Sequence, residues 1–375
     1  MQSVGLVAVL FGVNALSFAQ VPDLLNAFDA GGRALGTGGA GSVTDSDTFS
    51  ILNNPAALAF VHGSTFGVSF RNLPDSRTIA SGNFTDRTLR TDPGSGRISV
   101  SHVGYAAPFR NGTIGISYTI GGFVQDTLIG NNLTNGALTV RNLTETTKSK
   151  TDFFTIGYGR SSGSTNVGVA LVFANQYLSA SQRYVLFDGS NNQVGTVDSS
   201  ATGNNFGVGL VVGLQSIPSS QDNLMWGFSV RTPISLGGEA DTKAYYDRIP
   251  GKASLGVAGR RSAGRGDSQD FLTWAAQADY FFGGNSNGVL EREDTFSFGA
   301  GLEYNFHRFN ARIPVRLGFM SRPGQGRGFG DRDALTFGLG YRPNASDYSI
   351  DLNFARPSSG GALDIALGVT YKPSR

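Results

Sequence analysis

Cysteine is absent from this 375-residue chain, and methionine, tryptophan and histidine occur only three, two and three times. The first absence removes disulfides, thiolate metal sites and cysteine nucleophiles together. Charge is scarce too: Asp, Glu, Lys and Arg make up 15% of the residues, against roughly 25% in an average soluble domain. The formal net charge is +2, which gives no electrostatic footprint for nucleic acid. No apolar run reaches the roughly 20 residues that a membrane-crossing helix requires. In excess is glycine, with 53 residues, against the roughly 7% usual in soluble domains. The glycines follow no G-X-Y period, which excludes collagen, and 11% aromatics, 27 Phe among them, argue against a disordered chain. The length suggests either two soluble domains or one large β-barrel.

The two ends carry different signals. Met1 to Ala19 reads as a secretory signal, with an apolar stretch from Val4 to Leu16 and small residues at Ser17 and Ala19 that suit cleavage before Gln20. No Lys or Arg precedes that stretch, and a short buried helix or strand is the alternative. At the far end Leu363, Ile365, Leu367, Val369 and Tyr371 alternate with small or polar residues. A period of two is a strand with one apolar face. An alternating last strand closing on an aromatic resembles the assembly signal of outer-membrane barrels, although Lys372 to Arg375 follow it here.

The same alternation predicts strands at 64–70, 97–109, 112–122, 152–160, 165–177, 204–216, 223–232, 252–260, 271–281, 294–305, 311–320, 334–342, 347–355 and 362–371. The count is even, as single-chain bacterial barrels require, and many strands have the length of a tilted bilayer crossing. Short links such as Arg110-Asn111-Gly112, where Asn-Gly supplies positive φ for a hairpin, alternate with long ones at 71–96, 123–151, 178–203, 233–251, 282–293 and 321–333. That is the layout of short periplasmic turns opposite long external loops.

One phase of each strand is apolar, as in Phe66, Val68 and Phe70, in Ile114, Ile116, Tyr118 and Ile120, and in Phe296, Phe298, Leu302 and Tyr304. The other is Gly, Ser, Thr and Ala, with charges at Asp279, Glu303, Arg316, Asp351 and Asp364. An apolar exterior around a polar lumen is a lipid-facing barrel. Phe109, Tyr158, Tyr304, Tyr341, Tyr348 and Tyr371 form an aromatic ring at the short-turn end, and Phe70, Phe173, Phe206, Tyr280, Phe296 and Phe354 form one at the other. Only the second strand breaks phase, which predicts a one-residue bulge at Ser101-His102. The fold expected is an all-β, fourteen-stranded antiparallel transmembrane barrel in the bacterial outer membrane.

Residues 20–62 do not alternate. They hold the glycine-rich run from Gly31 to Gly41, then Asp45 and Asp47, then Asn54-Pro55-Ala56, where Asn54 as N-cap and Pro55 at the first helical position start a short helix. Gly32-Arg33-Ala34-Leu35-Gly36, Gly39-Ala40-Gly41, Asp45, Asp47 and Asn54-Pro55-Ala56 resemble the N-terminal hatch of the FadL-type outer-membrane transporters of long-chain fatty acids. The resemblance in motif covers about 30 residues, while the layout of hatch and strands covers essentially the whole mature chain. It implies a signal over 1–19, a hatch over 20–62 that plugs the lumen, and a barrel over 63–375. It also implies a break in the wall of the third strand, for which Gly121 and Gly122 are the candidates. PorV-type secretion shuttles share the motif, so the resemblance leaves both functions open.

Sharper motifs dissolve on inspection. Gly36 to Gly41 matches a dinucleotide fingerprint in composition, but no strand precedes it and no βαβ unit surrounds it. Asp45 and Asp47 are too few for calcium, which takes six to eight oxygens, and suit helix capping. Of His62, His102 and His307, only His102 lies in mid-strand, so side-chain catalysis is not expected, nor is any cofactor or metal. Arg322, Arg327 and Arg332 lie in a glycine-rich loop that either meets lipopolysaccharide phosphates or is simply solvated. Four lumen-phase residues are large and apolar: Phe153, Val172, Phe281 and Met320. They fit a site for an apolar solute or packing against the plug and inward-folded loops. The function expected is passage of a hydrophobic solute, a fatty acid or an aromatic hydrocarbon, through a plugged barrel amid outer-membrane lipid and lipopolysaccharide. The alternative is a membrane anchor or shuttle for secreted cargo proteins.

Overall fold

The computed structural model describes residues 32–44, 47–73, 75–83, 87–93, 96–217, 223–238, 247–263, 269–284, 293–323, 332–344, 346–358 and 363–373. The expected signal segment, the first part of the hatch, Asp45 and Arg327 lie outside these residues.

Fourteen strands form the wall, and each of the expected ones is present. They are β1 (Thr65–Leu73), β2 (Arg97–Phe109), β3 (Gly112–Gly130), β4 (Leu138–Ser162), β5 (Thr165–Phe187), β6 (Gln193–Ser216) and β7 (Leu224–Arg231), followed by β8 (Gly251–Ser262), β9 (Phe271–Phe282), β10 (Thr295–Arg308), β11 (Ala311–Arg322), β12 (Arg332–Pro343), β13 (Tyr348–Pro357) and β14 (Asp364–Tyr371). Each pairs antiparallel with the next, and β1 closes on β14 from Phe66–Tyr371 to Arg71–Ala366. Closure of β1 on β14 leaves the wall without a free edge strand.

Alternation dictates which face meets lipid. Leu302, Leu317 and Leu335 are 48%, 61% and 65% exposed on the outside, while their neighbours Glu303, Arg316 and Thr336 are buried inside. Phe109, Tyr341, Tyr348 and Tyr371 are exposed at the short-turn end, as an interfacial aromatic belt should be. The bulge falls where the phase break predicts. Ser69 pairs with His102 and Phe70 with Val100, so Ser101 is the extra residue.

Three expectations are corrected. The links 123–151 and 178–203 are largely strand, because β3 to β6 run on to 19, 25, 23 and 24 residues. The apolar outward phase ends near Phe154 and Phe173, and above it the outward positions are Asp152, Lys150 and Lys148. Beyond the lipid no alternation is required, yet the Thr- and Val-rich ladder still pairs. Leu128, Val140, Leu143, Tyr184 and Leu186 pack with Ala80 and Leu133 into a core of their own. A hairpin of Ser76–Gly82 and Arg87–Pro93 extends this external sheet by pairing parallel to β3 between Ser76–Asp126 and Ala80–Gly130.

Secondly, Ile120 is not lipid-facing; it is buried against Leu73 and Phe123. Leu73 belongs to the inner phase of β1, so the contact requires β3 to lean inward there. Thirdly, the positive φ of the first hairpin sits on Arg110 (53°). Gly112 already opens β3, where a Cβ would stand 2.6 Å from the Tyr158 hydroxyl.

Amide hydrogen exchange checks the external sheet. Residues 139–150 and 176–187 are expected to exchange as slowly as membrane-embedded strand, and loop-like exchange would refute the extension.

Candidate functional site

Fourteen strands enclose more space than wall side chains fill, and the chain fills it with its own N-terminal segment. This hatch comprises α1 (Gly32–Gly36), α2 (Ser50–Asn53) and a 3-10 helix (Pro55–Phe60). It sits where the inner phase of the wall is glycine. A Cβ on Gly301 would lie 2.6 Å from Thr37 Cα, on Gly159 2.5 Å from Pro55 O, and on Gly115 2.7 Å from Ile51 Cδ1. Gly168 and Gly299 are in still closer contact with the backbone of Pro55–Ala56 and Gly38. The glycine excess of the sequence is therefore in large part the footprint of the hatch on the wall.

Within the hatch, Gly36 leaves room for the Asn353 side chain, and Gly39 takes a left-handed φ of 83°. Asn54 is fully buried and caps the 3-10 helix by accepting from Ala56 N at 3.2 Å, with Pro55 at its first position. Its amide also donates to Ser42 O (2.9 Å) and to Leu214 O of the wall (3.2 Å), so one side chain ties helix, loop and barrel together. Asp47 accepts from Phe49 N at 2.9 Å just before α2. His102, beside the bulge, stacks 4.3 Å from Phe49 and meets the hydroxyls of Thr119 (2.8 Å) and Thr48 (3.3 Å). It is another seam between hatch and wall.

The lumen charges form ion pairs. Arg33 of α1 donates Nε and Nη2 to Glu303, both at 3.0 Å. Arg316 donates to the same carboxylate at 2.7 Å and reaches Asp351 at 2.7 Å, and Arg342 lies 3.5 Å from Asp351. Arg71 grips Asp364, and Lys252 lies 3.7 Å from Asp279. Of these cations, Arg33 comes from the hatch itself, so its bidentate pair locks the hatch to β10.

Above the hatch the lumen is filled by an apolar core, in which Phe153 and Val172 pack against the plug and the inward-folded link. Phe153 and Val172 are buried with Ile51 and Leu52 of the hatch and with Ile234, Leu236 and Ile249. The last three belong to the expected external link 233–251, whose described part folds inward, pairing Ile234–Ser235 with Arg248–Ile249. Arg231 Cζ stands 5.3 Å over the Phe153 ring, and Lys252 Nζ stands 5.9 Å from the Phe281 ring. Arg231 and Lys252 are ladder neighbours. Phe153, Arg231, Lys252 and Phe281 thus form one arc across β4, β7, β8 and β9, with two buried cations between two rings. Met320 is not part of it. On β11, two strands from Phe281, it packs against the cluster that Leu35 of α1 forms with Ala334, Ala355 and Ala366. The cations escaped sequence reasoning because they close short strand patterns in which a charge reads as a strand end.

Gly121 and Gly122 lie at the expected irregularity. Ile120 pairs with Asp152 and Gly122 with Thr151, which leaves Gly121 as a bulge, and a Cβ on Gly121 would collide with the Phe153 ring. The β2–β3 ladder ends at His102–Thr119, and the added hairpin joins β3 only from Asp126. Between them, Ile120 to Val124 have no ladder partner on the β2 side among the described residues. The wall is open to hydrogen bonding there, and Leu73, Ile120 and Phe123 fill the breach with apolar side chains. On its lipid side Tyr118 donates to Asp152 (2.7 Å), and Lys150 donates to Tyr118 (2.8 Å).

The wall is a closed fourteen-stranded barrel with its N-terminal segment in the lumen and an irregular ladder at Gly121 of the third strand. Solved structures share it over nearly the whole chain. They include a FadL homologue of Pseudomonas aeruginosa, 14% identical with a TM-score of 0.61 over 93% of this chain and 99% of that one. The Ralstonia pickettii toluene transporter TbuX is 15% identical with a TM-score of 0.61, over 94% of this chain and 100% of that one. The Pseudomonas putida toluene transporter TodX is 12% identical with a TM-score of 0.61, over the same shares. At these identities the likeness establishes the fold. No family model matches the chain, and no curated protein matches it.

Two substitutions test the hatch seat. Gly301→Leu is expected to expel the hatch and raise ion conductance in planar bilayers while the barrel stays heat-modifiable on gels; unchanged conductance would show that the seat is not required. Glu303→Ala leaves the part-exposed Arg33 without its carboxylate and the buried Arg316 with Asp351 alone, and is expected to lower the melting temperature.

Proposed function

We propose that the chain is an outer-membrane channel through which hydrophobic solutes with an acidic head, long-chain fatty acids foremost, diffuse without chemical change. The observation that carries this reading is the arc above the hatch. Phe153 and Phe281 offer ring faces to a hydrocarbon tail, and Arg231 and Lys252 between them offer charge to a carboxylate. The solved channels of the same fold include toluene transporters, which supports passage of apolar solutes in general.

The route begins at the external sheet and reaches the arc. It leaves either past a shifted hatch or through the breach at Gly121, where the Phe153 ring is both part of the apolar core and neighbour of the bulge. Val172 belongs to the same core, and Met320 acts on the route through the cluster around Leu35 of the hatch helix. Outward Lys148 and Lys150, at the rim of the lipid zone, suit the phosphates of lipopolysaccharide.

The external sheet favours a second reading, that of a membrane anchor for secreted cargo. From Gln193 to Gly203, β6 pairs with β5 alone among the described residues, and this stretch carries no Lys, Arg or Pro to blunt the edge. An extended segment of another protein would extend such a sheet.

Mass spectrometry of small molecules extracted from the purified protein separates the readings. A stoichiometric fatty acid, lost from Phe281→Asp and from the Arg231→Gln/Lys252→Gln double variant, is the expected result. An empty lumen together with secreted proteins held through residues 193–203 would replace the channel with the anchor. In an uptake assay, Gly121→Leu is expected to slow fatty-acid entry without unfolding the barrel, and unchanged uptake would remove the breach from the route.

A further inference from the structure

The short-turn end of the lumen contains a cavity of about 440 Å³ that the route described above does not use. Its roof is the underside of the hatch, at Arg33, Thr44 and Asp47. Its walls are the first residues of β11, the last of β12, the turn into β13 and the end of β14. Arg312, Arg342 and Lys372 all line it.

Their charges are poorly matched by anions. The Glu303 carboxylate is already shared by Arg33 and Arg316, and Asp351 takes Arg316 at 2.7 Å. Arg342 therefore has only a longer, 3.5 Å contact with a carboxylate already in use. The Arg312 Nε is buried with no acceptor, and its guanidinium stands 5.9 Å from the Phe271 ring. Lys372 makes no side-chain contact among the described residues, although its backbone N–H donates to Asp347 O at 2.6 Å. Asp47 and Asp347 also line the cavity, and Asp47 is within electrostatic reach of Lys372 and Arg342, so three cations face two carboxylates and one positive charge is left in excess.

We propose that this vestibule is a carboxylate-binding site at the periplasmic mouth, held by Arg312, Arg342 and Lys372. An oxyanion here would satisfy the Arg312 Nε and give Arg342 and Lys372 a counter-charge. The rest of the lining is polar (Ser346, Ser349, Thr370), with Pro343 and Tyr348 as its apolar exceptions. The site takes a head group and a short chain, with no trough for a long alkyl tail. The proposal builds on the channel reading by giving the acid a second station below the hatch, yet the binding itself is independent of transport.

The test is photo-labelling of the full-length protein in non-ionic detergent with a diazirine derivative of pentanoic acid, mapped by peptide mass spectrometry. Folding of each variant is verified by heat-modifiability. Label is expected on peptides spanning 342–349 and 370–373, displaced by hexanoate and not by hexanol. Arg312→Gln/Lys372→Gln is expected to weaken displacement by hexanoate about tenfold, since each lost charge-assisted contact counts strongly, while Arg231→Gln/Lys252→Gln leaves vestibule labelling intact. The site is overturned by absent labelling there, by equal competition from hexanol, or by an unaltered response in the vestibule double variant. Displacement by inorganic phosphate but not by hexanoate overturns the carboxylate assignment. Vestibule labelling that persists in a protein failing to take up long-chain acids keeps this site and rejects the channel reading.

Discussion

The hatch can occupy the lumen only because the inner phase of the wall drops its side chains where the hatch backbone runs. Each wall strand alternates between two solvents. Outside is lipid, which takes Leu, Phe and Val; inside is a folded piece of the same chain, which at many levels leaves no room for a Cβ. Thr37 against Gly301, Pro55 against Gly159 and Ile51 against Gly115 are instances on three different strands. Packing a polypeptide against bare backbone also places polar groups opposite one another. Thr336 accepts from Gly38 N (3.1 Å) and donates to Gly36 O (3.2 Å), and Gln277 accepts from Ser42 N at 2.9 Å. Buried peptide groups that no ladder serves thereby find partners. Gaps in the wall's side-chain cover and polar residues beside them are one device.

The buried ions belong to the same device. Removing charges from water is costly, and a buried pair seldom adds net stability over apolar packing of equal volume. What the Arg33–Glu303–Arg316–Asp351 chain supplies is register. Arg33 meets a carboxylate on β10 that Arg316 of β11 also holds, and Arg316 reaches β13 through Asp351. A hatch rotated or slid from its seat would leave one of these charges buried and alone. The penalty for misplacement therefore exceeds the gain from correct placement, and this suits a plug that must rest in one position.

Much of this could be read from the sequence, for identifiable reasons. The lipid-crossing strands were legible because lipid imposes alternation on them. The bulge at Ser101 was legible because one extra residue inverts the phase between Val100 and Val103. Asn54-Pro55-Ala56 announced a helix start by capping chemistry alone, and the structure gives it a 3-10 helix. The upper halves of β4 to β6 were hidden, since strands that leave the lipid keep their ladder and lose their alternation. The inward placement of Ile234, Leu236 and Ile249 was hidden for another reason, because scattered apolar residues do not distinguish a loop over the lumen from one within it. Phe153, Val172 and Phe281 stood out as large residues in a small-residue phase, and the structure places all three above the hatch. Met320 shared that signature, yet it serves the seat of α1. A pattern of size and phase identifies an unusual inner residue without saying whether its neighbour is hatch or inward-folded link.

Taken together, the lumen presents a sequence of environments rather than a uniform pore. The external sheet stands clear of the lipid; the core beneath it is apolar, with Arg231 and Lys252 beside the Phe153 and Phe281 rings; below the hatch lies a polar cavity lined by cations and carboxylates. On the route proposed above, an acid with a hydrocarbon tail would meet charge at both of the inner levels, but apolar surface at the first alone. The tail's other outlet is lateral, at the level where Gly121 breaks the β3 ladder and Leu73, Ile120 and Phe123 stand in place of hydrogen bonds. Arg33 on Glu303 holds the hatch in its seat, and beside Gly121 apolar contacts among the described residues stand where the β2–β3 ladder has stopped.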